Sequence, residues 1–386
     1  MKSLNGYRMR LVLIGVVAAI MLGGENVKAD FTFGEPTNLG PTVNSTDSDS
    51  DPEISADGLT LYFTSNRHGG SGDDDIWVTT RESINDDWGI PVNLGSTFNS
   101  SSRDDGPYIS ADGLALFFNS DRPGGYGNLD LWVTTRQTVN DPWAPPDNLG
   151  PTVNGSGKDN RPYISADGLL LYFSSDRPGG FGYNDLYVSR RVTVEDEWDT
   201  PVNLGPTVNS TSIDISPWVS ADGLWLFFVS YRSGLGDLWV STRVAKDDEW
   251  GPPMNLGPTV NSAARDAGLN ISADGRTLYF HSDRPKADKV HNLWQAPIIP
   301  IVDFNSDGIV DSADMCIMVN YWGEDYSLCD IGPMPWGDGV VDVQDLIVLA
   351  EHFFVEPGLV AHWKLDETEG NTAYDSIVDN DGMVNG

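Results

Sequence analysis

Asp159 to Gly205 reads DNRPYISADGLLLYFSSDRPGGFGYNDLYVSRRVTVEDEWDTPVNLG, and nearly the same sentence is written five times in the chain. The tetrad Ser-Ala-Asp-Gly starts at Ser55, Ser110, Ser165, Ser220 and Ser272, in steps of 55, 55, 55 and 52 residues. A period of that size marks stacked or radial units, each too small to bury its own faces alone.

Each copy holds four short strand candidates divided by turn residues. In the third copy these are Arg161–Ser165, Leu169–Ser175, Asp185–Arg190 and Trp198–Leu204. Asp176-Arg177-Pro178-Gly179-Gly180 breaks the chain after the second, because Pro fixes φ and Gly admits positive φ. The second candidate, LLLYFSS, is apolar almost throughout instead of alternating, as a strand covered on both faces should be. Four strands per repeat of this length is the pattern of a β-propeller. The ends give the blade count. Asn-Leu-Gly of the fourth strand recurs at Asn93, Asn148, Asn203 and Asn255, and once ahead of the first tetrad at Asn38, while the fifth copy stops after its third strand near Trp294. Phe31–Gly40 is therefore expected to supply the outer strand of the last blade, which closes the ring and removes the open sheet edges. The expected fold is all-β, a five-bladed propeller over residues 30–297, with a small all-α calcium-binding domain after it.

The run P-x-I-S-A-D-G-x-x-L-Y-F-x-S-D-R…D-L-W-V, best kept in the second and third copies, resembles the WD40-like PD40 repeats of the TolB-type propeller group. The resemblance covers residues 31 to 297. It implies the fold and an interaction role, not a reaction. That group is typically six-bladed, so the count of five departs from it.

Residues 1–29 read as a cleaved export signal: Lys2, Arg8 and Arg10 precede the apolar run Leu11–Leu22, and Val27-Lys28-Ala29 offers small residues before Asp30. The run is short for a membrane span of about 20 residues. The whole chain carries −34, and the first 29 residues carry four cations against Glu25, leaving the remainder near −37. Such a charge argues against nucleic acid and anionic membrane, which need a basic face, and suits a soluble, calcium-rich extracellular setting. A secreted or cell-surface monomer without a membrane span is expected.

Three polar columns recur in the propeller. Arg67, Arg122, Arg177, Arg232 and Arg284 follow the second strand; Asp75, Asp130, Asp185 and Asp237, with Asn292 in the last copy, open the third; Asp49, Asp104, Asp159, Asp214 and Asp266 lie six residues before each tetrad. The last set reads either as a carboxylate ring at the channel mouth able to hold a cation, or as acceptors for backbone N–H groups and the Arg of the same or the next blade. Presence in every copy favours the second reading, since buried polar groups are paired. Loops that differ between copies are better placed for specificity: Ser-Gly-Leu-Gly after Arg232, the basic Pro285–His291, and Tyr126, Phe181 and Tyr183, which suit stacking on sugars or packing on their own loops. A catalytic carboxylate pair should break the repeat, and by this reading only Glu53 does, standing where other copies hold Tyr108, Tyr163 and Trp218.

After a short linker, 298–302, the composition changes. Asp303, Asn305, Asp307, Ile309 (through its carbonyl), Asp311 and Asp314 have calcium-loop spacing, with Gly308 at the sharp turn, and a helix is expected over Ala313–Trp322. A damaged second copy keeps Asp338, Val340 (carbonyl), Asp342 and Asp345 ahead of a helix over Leu346–Phe354. Its first ligand position falls on Met334, unless the insertion Gly332–Trp336 loops out and Asp330 serves instead. Two such loops, each followed by one helix and ending in Asp, resemble a type I dockerin over 303–354. That resemblance implies Ca²⁺ as the cofactor and a cohesin-like partner, with Met318, Tyr321, Trp322 and Phe353 as candidates for the docking face. Cys316 and Cys329 are candidates for pairing in an exported protein. Residues 358–386, through L-V-A-H-W-K-L-D-E…A-x-D-S, resemble the opening of a LamG or concanavalin-like domain.

The function expected is a secreted, non-catalytic binding protein whose propeller recognises a glycan or protein. The alternative is a polysaccharide-degrading enzyme, an O-glycosyl hydrolase or lyase, with a propeller catalytic domain carried by the dockerin. No Ser/His/Asp order, phosphate loop or His cluster points elsewhere, and no catalytic residue is assigned.

Overall fold

The computed structural model describes residues 31–284, 290–305, 310, 312–324, 329–332, 337, 340–352, 372–373 and 382–383. The repeats form five antiparallel sheets arranged as blades around an axis, and the protein is an all-β five-bladed propeller. The innermost strands are Asp49–Ile54, Asp104–Ile109, Asp159–Ile164, Asp214–Val219 and Asp266–Ile271. Each continues outward as a meander, for example through Leu170–Ser175, Asp185–Arg190 and Val202–Asn203 in the third blade.

The second strands are apolar on both faces because each blade is sandwiched between two others. Phe63, Phe118, Phe173, Phe228 and Phe280, at one register, are completely buried. Clusters run across blade boundaries: Tyr62 and Ile76 of the first blade pack with Ile109, Leu116 and Phe118 of the second. Truncating one such Phe to Ala should cost about 3–5 kcal/mol.

The ring closes as the ends of the sequence imply. In the fifth blade the long strand Asn292–Pro300 pairs with Phe31–Phe33 through Phe31↔Pro300 and Phe33↔Ile298, and with Thr37–Asn38 through Asn38↔Trp294. Residues 298–300, expected to open a linker, are thus the end of a propeller strand. The fourth strands are also shorter than expected, Val202–Asn203 in place of Trp198–Leu204. Pro201 has no N–H to give to a ladder, and Trp198 instead lies beneath the Arg191 guanidinium, 4.3 Å from its ring centre.

Beyond the propeller, helix α1 spans Ser312–Asn320 and helix α2 spans Val343–Glu351. They share a small core of Val302, Phe304, Met318, Cys329, Ile331, Val341, Val348 and Leu349. Met318 is completely buried there, which corrects its expected place on a docking face: its side chain fills the core that the two helices share. Tyr321 packs against the same core, Trp322 is exposed, and Phe353 lies outside the described residues. No disulfide joins Cys316, which is exposed, to Cys329, which is buried. Residues 1–29, expected as an export signal, and residues 358–386 apart from a two-residue pairing of Thr372–Ala373 with Gly382–Met383, also lie outside. No helix among the described residues is long and apolar enough to cross a membrane.

Candidate functional site at the propeller axis

The recurring columns are structural. Asp49, Asp104, Asp159, Asp214 and Asp266 are buried, and each takes the guanidinium of its own blade, from Arg67–Asp49 at 2.5 Å to Arg232–Asp214 at 2.9 Å. The same Arg donates Nε to a Ser at the end of the second strand and Nη2 to a carbonyl of the preceding turn, as Arg67 does to Ser65 (2.9 Å) and Val43 (2.7 Å). No cation ring forms, because these carboxylates are used in holding turns. Asp75 likewise takes Asn93 Nδ2 at 2.9 Å and Gly72 N at 3.1 Å.

The residues that differ between blades meet at the axis. Every innermost strand carries a bulge, a register shift between its second and fifth residues. The bulged residue adopts left-handed backbone: Asp51 (φ 49°), Gly106 (61°), Arg161 (54°), Ser216 (55°) and Gly268 (59°). Glycine takes this conformation freely, and other residues pay about 1–2 kcal/mol. Two blades use Gly. The other three hold strained Asp, Arg and Ser side chains beside the axis, and strain of this kind concentrates at functional positions.

Arg161 of the third blade reaches Asp51 of the first through an ion pair of Nη1 with Oδ1. Its side chain passes Gly106, where a Cβ would sit 3.5 Å from Arg161 Cγ; at Gly268 a Cβ would stand 2.5 Å from Asp51 Oδ1. Gly268 therefore makes room for the bridge, whereas at Gly106 the tight neighbour is Asn119 Oδ1, at 2.7 Å. Burial and the nearby Arg265 lower Arg161 to about 9, so it stays charged at neutral pH against the Asp51 carboxylate. Arg103 holds buried Asp105 by an ion pair and Asp74 at 3.0 Å; burial raises Asp105, and Arg103 opposes the rise.

One turn of the pleat further along stand Glu53, Tyr108, Tyr163, Trp218 and Asn270. Tyr108 Oη donates to Ile164 O of the next blade at 2.9 Å, and Tyr163 Oη makes the same contact to Val219 O. Glu53 occupies that seat in the first blade, where Oε1 accepts from Ile109 N at 3.1 Å and Oε2 accepts from Asn270 Nδ2. Complete burial pushes Glu53 well above the ordinary carboxylate range. The space lined by these two rings is about 40 Å³, room for about three waters and too little for a sugar ring.

On the face where the innermost strands begin lie the loops between second and third strands. Tyr126, Phe181 and Tyr183 are exposed there, Tyr183 at 77%. The loops are held by the following blade, through Asn128 N to Gly157 O (2.8 Å) and Tyr183 N to Ser212 O (3.0 Å). A Cβ on Gly127 or Gly182 would strike those carbonyls at 2.2 and 2.0 Å, so the loop glycines are required for this docking.

Reading only the repeated columns missed Asp51, Asp105, Arg161, Arg265 and His281; His291 was singled out only as the end of the basic loop Pro285–His291. It was also mistaken that Glu53 is the sole acidic break in the pattern: Asp51 stands against Gly106, Arg161, Ser216 and Gly268, and Asp105 against Ser50, Asn160, Ile215 and Ala267. The signal was the variable column three residues before Ile-Ser in an otherwise repeated stretch.

In the C-terminal unit, Asp314 Oδ1 accepts from Phe304 N (2.7 Å) and Asn305 N (3.2 Å), and Asp345 Oδ1 accepts from Ile331 N (2.6 Å) and Gly332 N (2.7 Å). The matching pattern sets Asp330 in register with Asp303, as the looped-out insertion requires. Asp342 caps α2, its side chain accepting from Gln344 N at 2.7 Å. Of the other candidate ligands, Asp303, Asn305 and Val340 are described, whereas Asp307, Ile309, Asp311 and Asp338 lie outside the described residues.

No family model matches the chain, and no curated protein does. Among solved structures it is similar to a putative TolB from Agrobacterium tumefaciens, at 17% identity over 65% of this chain and 78% of that one, with a TM-score of 0.42. It is also similar to an alpha-L-arabinofuranosidase from Podospora anserina (13% identity, 71% and 98% covered, TM-score 0.48) and to an endo-arabinase from Bacteroides thetaiotaomicron (16%, 70% and 97%, 0.45).

Proposed function

We propose that the protein is a secreted recognition protein whose propeller binds a glycan or protein ligand at the axial face carrying Asp51, Arg161 and Ser216. The observation that carries this reading is the strained bulge ring. Three blades keep side chains there at a conformational cost that glycine avoids in the other two. Above the ring, exposed Tyr126, Phe181 and Tyr183 on docked loops suit flat stacking partners such as sugar rings.

Binding is favoured over catalysis because the axial carboxylates are committed: Asp51 to Arg161, Asp105 to Arg103, and Glu53 to Ile109 N and Asn270. Glycoside hydrolysis is the second reading, and one observation favours it: Asp51, Glu53 and Asp105 are acidic residues without counterparts at their own positions, as a catalytic pair would be.

The C-terminal unit is read as a calcium-dependent docking module for a cohesin-like partner. Its candidate ligands are oxygen donors, which suit a hard cation such as Ca²⁺. Asp314 and Asp345 are completely buried at the ends of the two loops, where a cation would offset the cost of a buried carboxylate. Tyr321 and Trp322 remain on the proposed docking face.

A glycan and peptide array probed with the whole chain tests the recognition reading. Selective capture that falls on Tyr183→Ala and on Arg161→Gly supports it. Capture indifferent to both substitutions contradicts it.

A further inference from the structure

Beside the bulge ring, three neighbouring side chains each carry a buried N–H group without an acceptor among the described residues. His281, on the second strand of the fifth blade, is 1% exposed, and its Nδ1 accepts from Asp51 N at 3.1 Å. Its hydrogen is therefore on Nε2, and Nε2 is buried with no partner among the described residues. The ring of His291 lies 5.1 Å away. Its Nε2 faces Arg265 Nη1 at 3.2 Å; a guanidinium only donates, so Nε2 accepts and the hydrogen sits on Nδ1, again buried and unpartnered. Arg265 Nε is the third such group. Arg161 and Arg103 are neutralised by Asp51 and Asp105, whereas Arg265 makes no salt bridge among the described residues; its side chain lies between His291 and the Tyr231 ring.

Three buried donors, one of them on an arginine that makes no salt bridge among the described residues and has buried Asp105 as a more distant counter-charge, are costly unless something accepts from them. A metal ion does not fit, because the free ring nitrogens carry hydrogens. A group with several acceptor oxygens and negative charge does.

We propose that Arg265, His281 and His291 form an anion-binding site that takes an oxyanion group, a carboxylate, sulfate or phosphate, from the propeller's ligand or from solution. As the ligand's acidic handle, this deepens the recognition reading and rests on it; as a site for free ions it stands alone. Arg265 and His291 are only partly buried, although the three donor atoms themselves lie below the surface. Both histidines are also held below the usual imidazole range, by burial first and Arg265 second.

The repeat itself supplies substitutions that the fold tolerates. Asn119 stands where His281 does, and its Oδ1 accepts from Arg161 N at 3.0 Å in the same inter-blade contact. Ser48 stands where Arg265 does. The test is calorimetric titration of the whole chain, wild type, His281→Asn and Arg265→Ser, with inorganic sulfate, inorganic phosphate, galacturonate and neutral galactose. The expected result is one-site binding of at least one anion, weakened about 10-fold or more in each variant, as the loss of a charged hydrogen bond implies, with unchanged circular dichroism. Galacturonate displaced by sulfate identifies an acidic sugar as the carrier; binding of the inorganic ions alone identifies a free oxyanion site. Either supports the proposal. No anion bound, equal affinity in the variants, or galactose bound as well as galacturonate overturns it. Capture of neutral glycans on an array would in that case leave the recognition function standing.

Discussion

Asn44 and Leu293 are 249 residues apart and grip each other twice: Asn44 Oδ1 accepts from Leu293 N at 2.7 Å, and Asn44 Nδ2 donates to Leu293 O at 3.0 Å. In the other blades the same clip is local. Asn99 holds Ile76, and Asn154 holds Leu131, each across 23 residues. At the seam of the ring the clip joins the start of the chain to its last blade. Asn44→Ala leaves the buried Leu293 N–H unpaired, while Leu293 O keeps Leu39 N at 3.0 Å, and should cost about 1–3 kcal/mol. Deleting residues 31–40 removes the fifth blade's outer strand and should cost several kcal/mol, seen as a large drop in Tm. A deletion that melts like the wild type would refute closure.

The bulge ring predicts a trade between stability and binding. Ser216→Gly relieves left-handed strain and should raise stability, by about 0.5–1 kcal/mol. Under the recognition reading it should also weaken ligand capture. A substitution that destabilises the fold would show that Ser216 is held by contacts more valuable than the strain.

Two buried titrating groups set opposite limits on the pH range of stability. Glu53 has a raised folded value, so the folded state holds a proton that the unfolded chain has already lost; its contribution falls as pH rises above the ordinary carboxylate range. His281 has a lowered folded value, so stability falls as pH drops below the ordinary imidazole value. Glu53→Gln should raise Tm more at pH 8 than at pH 4, and His281→Asn should flatten the acid limb. Parallel pH profiles for wild type and variants would contradict this assignment.

Calcium should fold the C-terminal unit and leave the propeller intact, because metal binding to a site absent from the unfolded chain is folding free energy. Chelation should lower the helical signal while the β signal persists. Met318→Asp should unfold the unit, since Met318 is core, whereas Trp322→Asp should leave it folded and abolish partner capture. A folded Met318→Asp variant would return that residue to the surface.

The propeller was legible because its signal is repeated: period, blade count and closure all follow from columns that recur, and Asn38 at the wrong end of the chain gave the seam. The axial site was not, and for a physical reason. A residue that acts once in a repeat is found where the columns disagree, and Asp51, Arg161 and Ser216 occupy a position whose backbone, not its side chain, is what the blades share. His281 and His291 come together only through the packing of second strand, loop and neighbouring bulge, which no spacing encodes. The expected docking role of Met318 failed because a helix of nine residues does not reveal from sequence which of its apolar side chains face inward.

The most direct test of the central claim, recognition without chemistry, is to incubate the whole chain with insoluble plant and algal polysaccharides and follow protein capture and sugar release together. The account predicts capture of at least one acidic polysaccharide, lost in Arg161→Gly and Tyr183→Ala, with no reducing ends above background. Release of sugars by the wild type that disappears in Asp51→Asn and Asp105→Asn would contradict it and make the axial carboxylates catalytic.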